Sequence, residues 1–235
     1  MLGVESLVGG YPSGGRVLKG ISFEVAKGEV VALLGRNGMG KTTLMRALTG
    51  QLATGGGRFC LEGRDLTNLP SYAIANAGIG YVPQGRQIFG DFTVEENLLM
   101  GVLGKPQLPN RLPPDVYDFF PILAERRKQR AGTMSGGQQQ QLAIMRSLVG
   151  QPKLLLLDEP TEGIQPSIVS EIGHTLRAIA KSTGLTILLV EQNLDFVQLM
   201  ASRALFVENG VIAERVDDIS HLTTNPELVH RYLSI

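Results

Sequence analysis

The chain has 235 residues, 22 of them basic and 22 acidic, so it carries no net charge near neutral pH. That balance excludes a strong overall field toward nucleic acid or anionic lipid. Hydrophobic residues make up 43% and charged residues 19%, as in ordinary globular domains, and the lone Cys60 excludes an internal disulfide and suits a reducing compartment. No apolar run approaches the ~18–20 residues that cross a bilayer. The start, MLGVESLVGG, lacks the basic and long apolar regions of a secretory signal. The chain is therefore expected on the cytosolic side, with any link to a membrane made through a partner.

In chain order, VVALL (Val30–Leu34) is a short apolar run flanked by Gly28 and Gly35, the pattern of a buried strand. Next comes GRNGMGKTT (35–43), with G-x-x-x-x-G-K-[ST] spacing, between that strand and a helix predicted over 42–52. The helix is expected to end at the glycine cluster 55–57. A glycine-rich loop in this setting turns its backbone N–H groups inward, and the following helix adds the positive end of its dipole. Gly35, Arg36, Asn37, Gly38, Met39 and Gly40 are thus expected to cradle the phosphates of a nucleotide. Lys41 is expected at the β- and γ-phosphates, the Thr42 hydroxyl on Mg²⁺, and Thr43 at the α-phosphate.

IGYV (Ile79–Val82) is a further strand, stopped by Pro83. From about 86 to 150 no buried strand is predicted. Prolines at 106, 109, 113, 114 and 121 punctuate helical segments, which suggests a helical subdomain inserted into an α/β core of about 1–85 and 151–235. Thr93 and Glu96 have capping-box spacing. RRKQR (126–130) is a solvated helix face or a docking surface. The stretch 135–150 reads as a helix beginning on glycines and glutamines, with Ser135 and Gln138 again at capping-box spacing.

LLLLDEP (154–160) places Asp158 and Glu159 at the carboxyl end of a buried strand, the edge where open α/β sheets bind ligands. Asp158 is expected to hold Mg²⁺ through water, and Glu159 to act as general base for the attacking water. A helix over 167–180 and a strand over 185–190 follow. Near the end, Asn225, Pro226 and Glu227 carry a helix-start signal. Strands alternating with helices, the strands almost wholly apolar, imply an α/β fold with a parallel or mixed sheet covered on both faces, and the 35–43 loop makes it one of P-loop nucleoside-triphosphatase type.

The start at Ser135 has bare backbone N–H groups and a hydroxyl, which suit a phosphate. Yet the chain already has a phosphate loop on the other side of the inserted helices. A second phosphate-binding turn is therefore expected to act in trans, on a nucleotide held by another subunit.

Together these motifs resemble the ATP-binding subunits of ABC transporters over essentially the whole chain. MSGGQ (134–138) looks like that family's signature, with Met in place of the usual Leu. The resemblance implies that Tyr11 stacks on adenine, and that Gln84 touches metal and water and senses the transmembrane partner. It implies a head-to-tail dimer in which Ser135, Gly136, Gly137 and Gln138 of one subunit close over ATP on the other. Two positions depart from the family pattern. Gln192 stands where a switch histidine is usual; an amide donates to a phosphate but takes no proton, so it is expected to sense the γ-phosphate. Gln165 stands about where an aspartate is usual.

YVPQGR, FTVEENLLMG and DEPTEGIQPS look like the branch that imports branched-chain amino acids, short amides and urea. Within it, the motifs look most like the urea importer's ATP-binding subunit, with branched-chain amino acid import second. The resemblance implies permease subunits, a second ATP-binding subunit, an external solute-binding protein acting indirectly, and a peripheral position on the cytoplasmic face of a prokaryotic inner membrane. The alternative class is a non-transport ABC ATPase of DNA repair, translation or cluster assembly. Long coiled coils, a second cassette or a basic surface would mark it, and none is visible here.

Overall fold

The computed structural model describes residues 1–12 and 14–233. Its elements run β1 (Leu2–Tyr11), β2 (Gly15–Val25), β3 (Val30–Leu34), α1 (Lys41–Leu48), β4 (Thr54–Leu61), β5 (Arg64–Asp65), α2 (Ser71–Ala77) and β6 (Ile79–Val82). Helices α3 (Val94–Met100), α4 (Pro121–Glu125) and α5 (Gly136–Leu148) follow. Then come β7 (Leu154–Asp158), α6 (Pro166–Thr183), β8 (Thr186–Val190), α7 (Leu194–Met200), β9 (Arg203–Glu208), β10 (Val211–Val216), α8 (His221–Thr224) and α9 (Pro226–Tyr232).

The three five-residue strands β3, β7 and β8 are buried at every position. Lacking a polar face, they sit inside a six-stranded sheet of order β10-β9-β3-β8-β7-β6. All neighbours are parallel except β10, which returns antiparallel beside β9 through Asn209 and Gly210, both at positive φ. Successive side chains alternate between faces. Ala32, Leu155, Leu157, Ile187 and Leu189 join a core shared with α3, α5, α6 and α7. Leu33, Leu154, Leu156 and Leu188 join a second core shared with α1, β1, β2 and β4.

That second core rests on a four-stranded antiparallel sheet, order β2-β1-β4-β5, which the sequence reading does not contain. The glycine cluster 55–57, expected to close the first helix, lies inside β4 instead, and α1 stops at Leu48. Between 86 and 150, helices α3 to α5 occur with one isolated bridge, Thr93 to Arg130, among the described residues. Both capping boxes form, Thr93 with Glu96 and Ser135 with Gln138. Asn225 caps α9 through the Leu228 N–H.

Candidate active site

Parallel neighbours end side by side, so the carboxyl ends of β3, β8, β7 and β6 deliver four loops to one sheet edge. From β3 comes the 35–43 loop. Gly35 has φ +147, and a Cβ there would meet Val207 O at 2.4 Å, so only glycine fits. Gly40, at φ 107, caps α1. Lys41 is 5% exposed; its Nζ donates to Gly35 O at 2.5 Å and Arg36 O at 2.9 Å, which centres the ammonium over the loop. Burial lowers its pKa, against the attraction of Glu159 and Asp158.

From β7 come Asp158 and Glu159. Asp158 is 1% exposed. Burial and the neighbouring Glu159 push its carboxyl up to about 6, while the hydrogen bond from Tyr81, the nearby Thr42 hydroxyl and the charge of Lys41 pull the other way. The Tyr81 hydroxyl donates to Asp158 Oδ2 at 3.3 Å; burial, then the Asp158 charge, raises the phenol's own pKa. Glu159 has φ +49, unusual for a non-glycine residue, and its N–H donates to Val190 O at 2.9 Å. That turn aims its carboxylate at the loops from β6 and β8. Gln84 Nε2 donates to Glu159 Oε2 at 3.2 Å and to Glu162 Oε2 at 3.0 Å. Gln192 Nε2 donates to Glu159 Oε1 and Asn37 Oδ1, both at 2.9 Å.

The residues present fit a divalent cation. Asp158 Oδ1 is buried with no hydrogen-bond partner among the described residues, and the Thr42 hydroxyl lies against the same carboxylate. Among the described residues no group of three or more His, Cys, Asp or Glu forms a cage. A cation here would therefore take most of its ligands from phosphate and water, as Mg²⁺ does in nucleotide sites.

The structure thus brings together Asn37, Lys41, Thr42, Gln84, Asp158, Glu159 and Gln192. Ser135 to Gln138 stand apart. Ser135 N donates to Gln138 Oε1 at 3.1 Å and Gln138 N to Ser135 Oγ at 3.4 Å, but no hydrogen bond joins them to residues 35–43 among the described residues. Packing also favours glycine at 137, where a Cβ would meet Ile168 at 2.8 Å; a Cβ on Gly136 would meet only the end of the Arg86 side chain, at 3.1 Å. Tyr11 ends β1, its hydroxyl accepting from Arg46 Nη1 of α1 at 2.9 Å. Tyr81 and Glu162 are members of the site that the sequence reading missed. Glu162 lies three residues past Glu159, a visible clue; Tyr81 is exposed as a site residue only by β6 pairing with β7. A separate cavity of about 520 Å³, lined by Val116, Phe119, Met145, Ile179 and Leu185, lies near the amino ends of β7 and β8, away from these groups.

A strand, a glycine loop and a helix carrying a buried lysine, with a carboxylate pair from a strand of the same sheet, define a P-loop nucleotide hydrolase. The ABC transporter family model matches residues 18–162. The chain is 44% identical to the high-affinity branched-chain amino acid transport ATP-binding protein BraG of Pseudomonas aeruginosa, over 93% of each chain. It is 34% identical to the probable branched-chain amino acid transport ATP-binding protein LivF of Archaeoglobus fulgidus, over 84% of each. Among solved structures it superposes on the ADP conformation of an ATP-binding cassette of an ABC transporter with a TM-score of 0.82 at 29% identity, covering 98% of this chain and 97% of that one. The chain belongs to the ABC transporter family, as an ATP-binding cassette, and is an ATPase.

Proposed function

We propose that this chain powers import of branched-chain amino acids, as one of two ATP-binding subunits attached to membrane permeases. The observation that carries the solute class is the 44% identity to BraG across 93% of both chains, supported by the LivF relative. The urea importer, placed first on motif resemblance, gains no support from these relatives; the second-placed solute does.

In this reading each nucleotide lies between two subunits. One supplies Gly35 to Thr43, with Tyr11 against the adenine. The other supplies Ser135 to Gln138, whose separation from the loop within one chain favours action in trans. Thr42, Asp158 (through water) and Gln84 would hold Mg²⁺, which would supply positive charge to offset the phosphates. Glu159 accepts the proton of the attacking water, and Gln192 donates an N–H toward the γ-phosphate. Closure over ATP passes to the permease through 84–100, and hydrolysis releases it. An external solute-binding protein delivers the solute. No helix of the described residues is long and apolar enough to cross a membrane. In this reading the chain attaches to the cytoplasmic face of a prokaryotic inner membrane through the permeases. The second cassette is a different chain in the cell, in keeping with the branch.

Uptake of labelled leucine and of labelled urea by cells lacking this chain tests the assignment. Loss of leucine uptake, restored by the chain but not by its Glu159→Gln variant, is expected. Loss of urea uptake with leucine uptake intact would overturn it.

A further inference from the structure

Glu191 follows β8 and is 2% exposed, yet nothing in the chemistry above uses its carboxylate. Its partners are all hydrogen-bond donors. Oε1 accepts from Thr161 N at 3.0 Å and from the Thr161 hydroxyl. Oε2 accepts from Gln192 N at 2.6 Å and Asn193 N at 2.8 Å. No ion pair includes it among the described residues. A buried carboxylate is costly unless its oxygens find donors, and here each oxygen has two.

The two oxygens serve different turns. Thr161 lies two residues past Glu159, on the turn leaving β7. Gln192 and Asn193 lie on the turn leaving β8. Above this clamp, the Gln192 and Glu159 side chains meet at 2.9 Å. We propose that Glu191 is a positioning residue that sets the Glu159–Gln192 pair by pinning both turns to one carboxylate. This rests on the reading that Glu159 and Gln192 act on water and γ-phosphate. An isosteric amide has one acceptor oxygen and two N–H donors. It satisfies one turn and sets its donors against the N–H groups of the other, so it moves one catalytic side chain relative to its partner.

The test is single-turnover ATP hydrolysis and equilibrium ATP binding by Glu191→Gln, alone and combined with Gln192→Ala, with Glu159→Gln and Gln192→Ala alongside. Glu191→Gln is expected to slow hydrolysis at saturating ATP by about tenfold or more and to leave ATP affinity within about twofold. In the Gln192→Ala background the same change is expected to cost less than about threefold, because its route to the chemistry is already gone. Glu191→Asp, which keeps the carboxylate, is expected to recover part of the rate. An equal cost in both backgrounds, or a normal rate in Glu191→Gln, overturns the proposal. If Glu191→Gln does not fold, Thr161→Val removes one donor isosterically, and the same non-additivity with Gln192→Ala is expected on a loss of about threefold. Turnover surviving in both Glu159→Gln and Gln192→Ala would instead refute the site reading itself.

Discussion

Gln192 Nε2 stands 2.9 Å from Glu159 Oε1 and 2.9 Å from Asn37 Oδ1, so one amide bridges the Glu159 carboxylate and the 35–43 loop. An amide keeps its donors at every working pH. Hydrolysis should therefore show no titration from this position. Gln192→His should introduce one, since a carboxylate at this distance raises an imidazole pKa above its usual ~6.5. The rate of the histidine variant is expected to change between about pH 6.5 and 8, where the parent is flat. Parallel pH–rate profiles would remove Gln192 from the reacting centre.

Glu159 owes its direction to a left-handed backbone turn and to two amide donors, Gln84 and Gln192, one on each oxygen. Glu159→Gln keeps the size and removes the proposed base. ATP binding should persist while turnover falls by about 10²–10⁴-fold, the span of general-base contributions. Steady-state hydrolysis beside equilibrium nucleotide binding checks this, and turnover at the parent rate would reassign the base.

Tyr11 lies beside α1, with the Arg46 guanidinium 5.8 Å from its ring centroid and bonded to its hydroxyl. If its ring stacks on adenine, Tyr11→Ala should raise KM for ATP by about 5–100-fold, as loss of one stacking partner does elsewhere, with kcat nearly unchanged. Tyr11→Phe keeps the ring and should behave almost as the parent. A KM unmoved in Tyr11→Ala would assign the residue to holding Arg46 alone.

Local chemistry made much of this site legible. The 35–43 loop and the 154–160 strand carry their chemistry in contiguous residues, and each lies where strand and helix patterns place it. The Gln192–Asn37 bridge spans 155 residues and exists because β8 lies beside β3, a pairing that no local pattern encodes. The antiparallel sheet was hidden for another reason. Register shifts interrupt β1 at Val4/Leu7, and Ser6 sits at φ 46, so the period-two alternation breaks mid-strand. In β4, Gly55, Gly56 and Gly57 look like a turn but are tolerated in the strand; Gly57 lies so close to the Ser6 carbonyl that a Cβ would stand 2.2 Å from it.

Phe89 and Phe92 stack at 5.3 Å between ring centroids, yet remain 44% and 41% exposed. Arg146 of α5 lies 5.2 Å from the Phe89 centroid and donates to Gln87 O at 2.8 Å. The pair therefore joins the loop after Gln84 to the helix that begins at Ser135. Exposed aromatics held this way suit docking of a permease loop. Phe89→Ala and Phe92→Ala should leave soluble ATPase activity within about twofold and lower coupled transport by tenfold or so. Unfolding of both variants would show that the rings serve packing alone.

Glu29 and Arg203 pin the amino end of β3 to that of β9. Arg203 Nε donates to Glu29 Oε1 at 2.5 Å and Nη2 to Oε2 at 3.2 Å, with both side chains 18% exposed. Burial works against the Glu29 charge, but the hydrogen bonds from Arg203 and the Ala26 N–H, with the guanidinium charge, outweigh it and hold the carboxyl below its usual 4.5. A depressed carboxylate pKa means the unfolded chain binds the proton more readily. The pair's stabilisation is thus fully present above about pH 4.5 and is lost as pH falls through the lower folded value. Glu29→Gln should cost about 2 kcal/mol at pH 7, the scale for hydrogen bonds to charged groups, and the gap between parent and variant should shrink steadily below pH 4.5. Urea unfolding of both proteins at a series of pH values measures that gap. A difference that stays constant down to the onset of acid unfolding would mean that shape, and not charge, holds these two strands together.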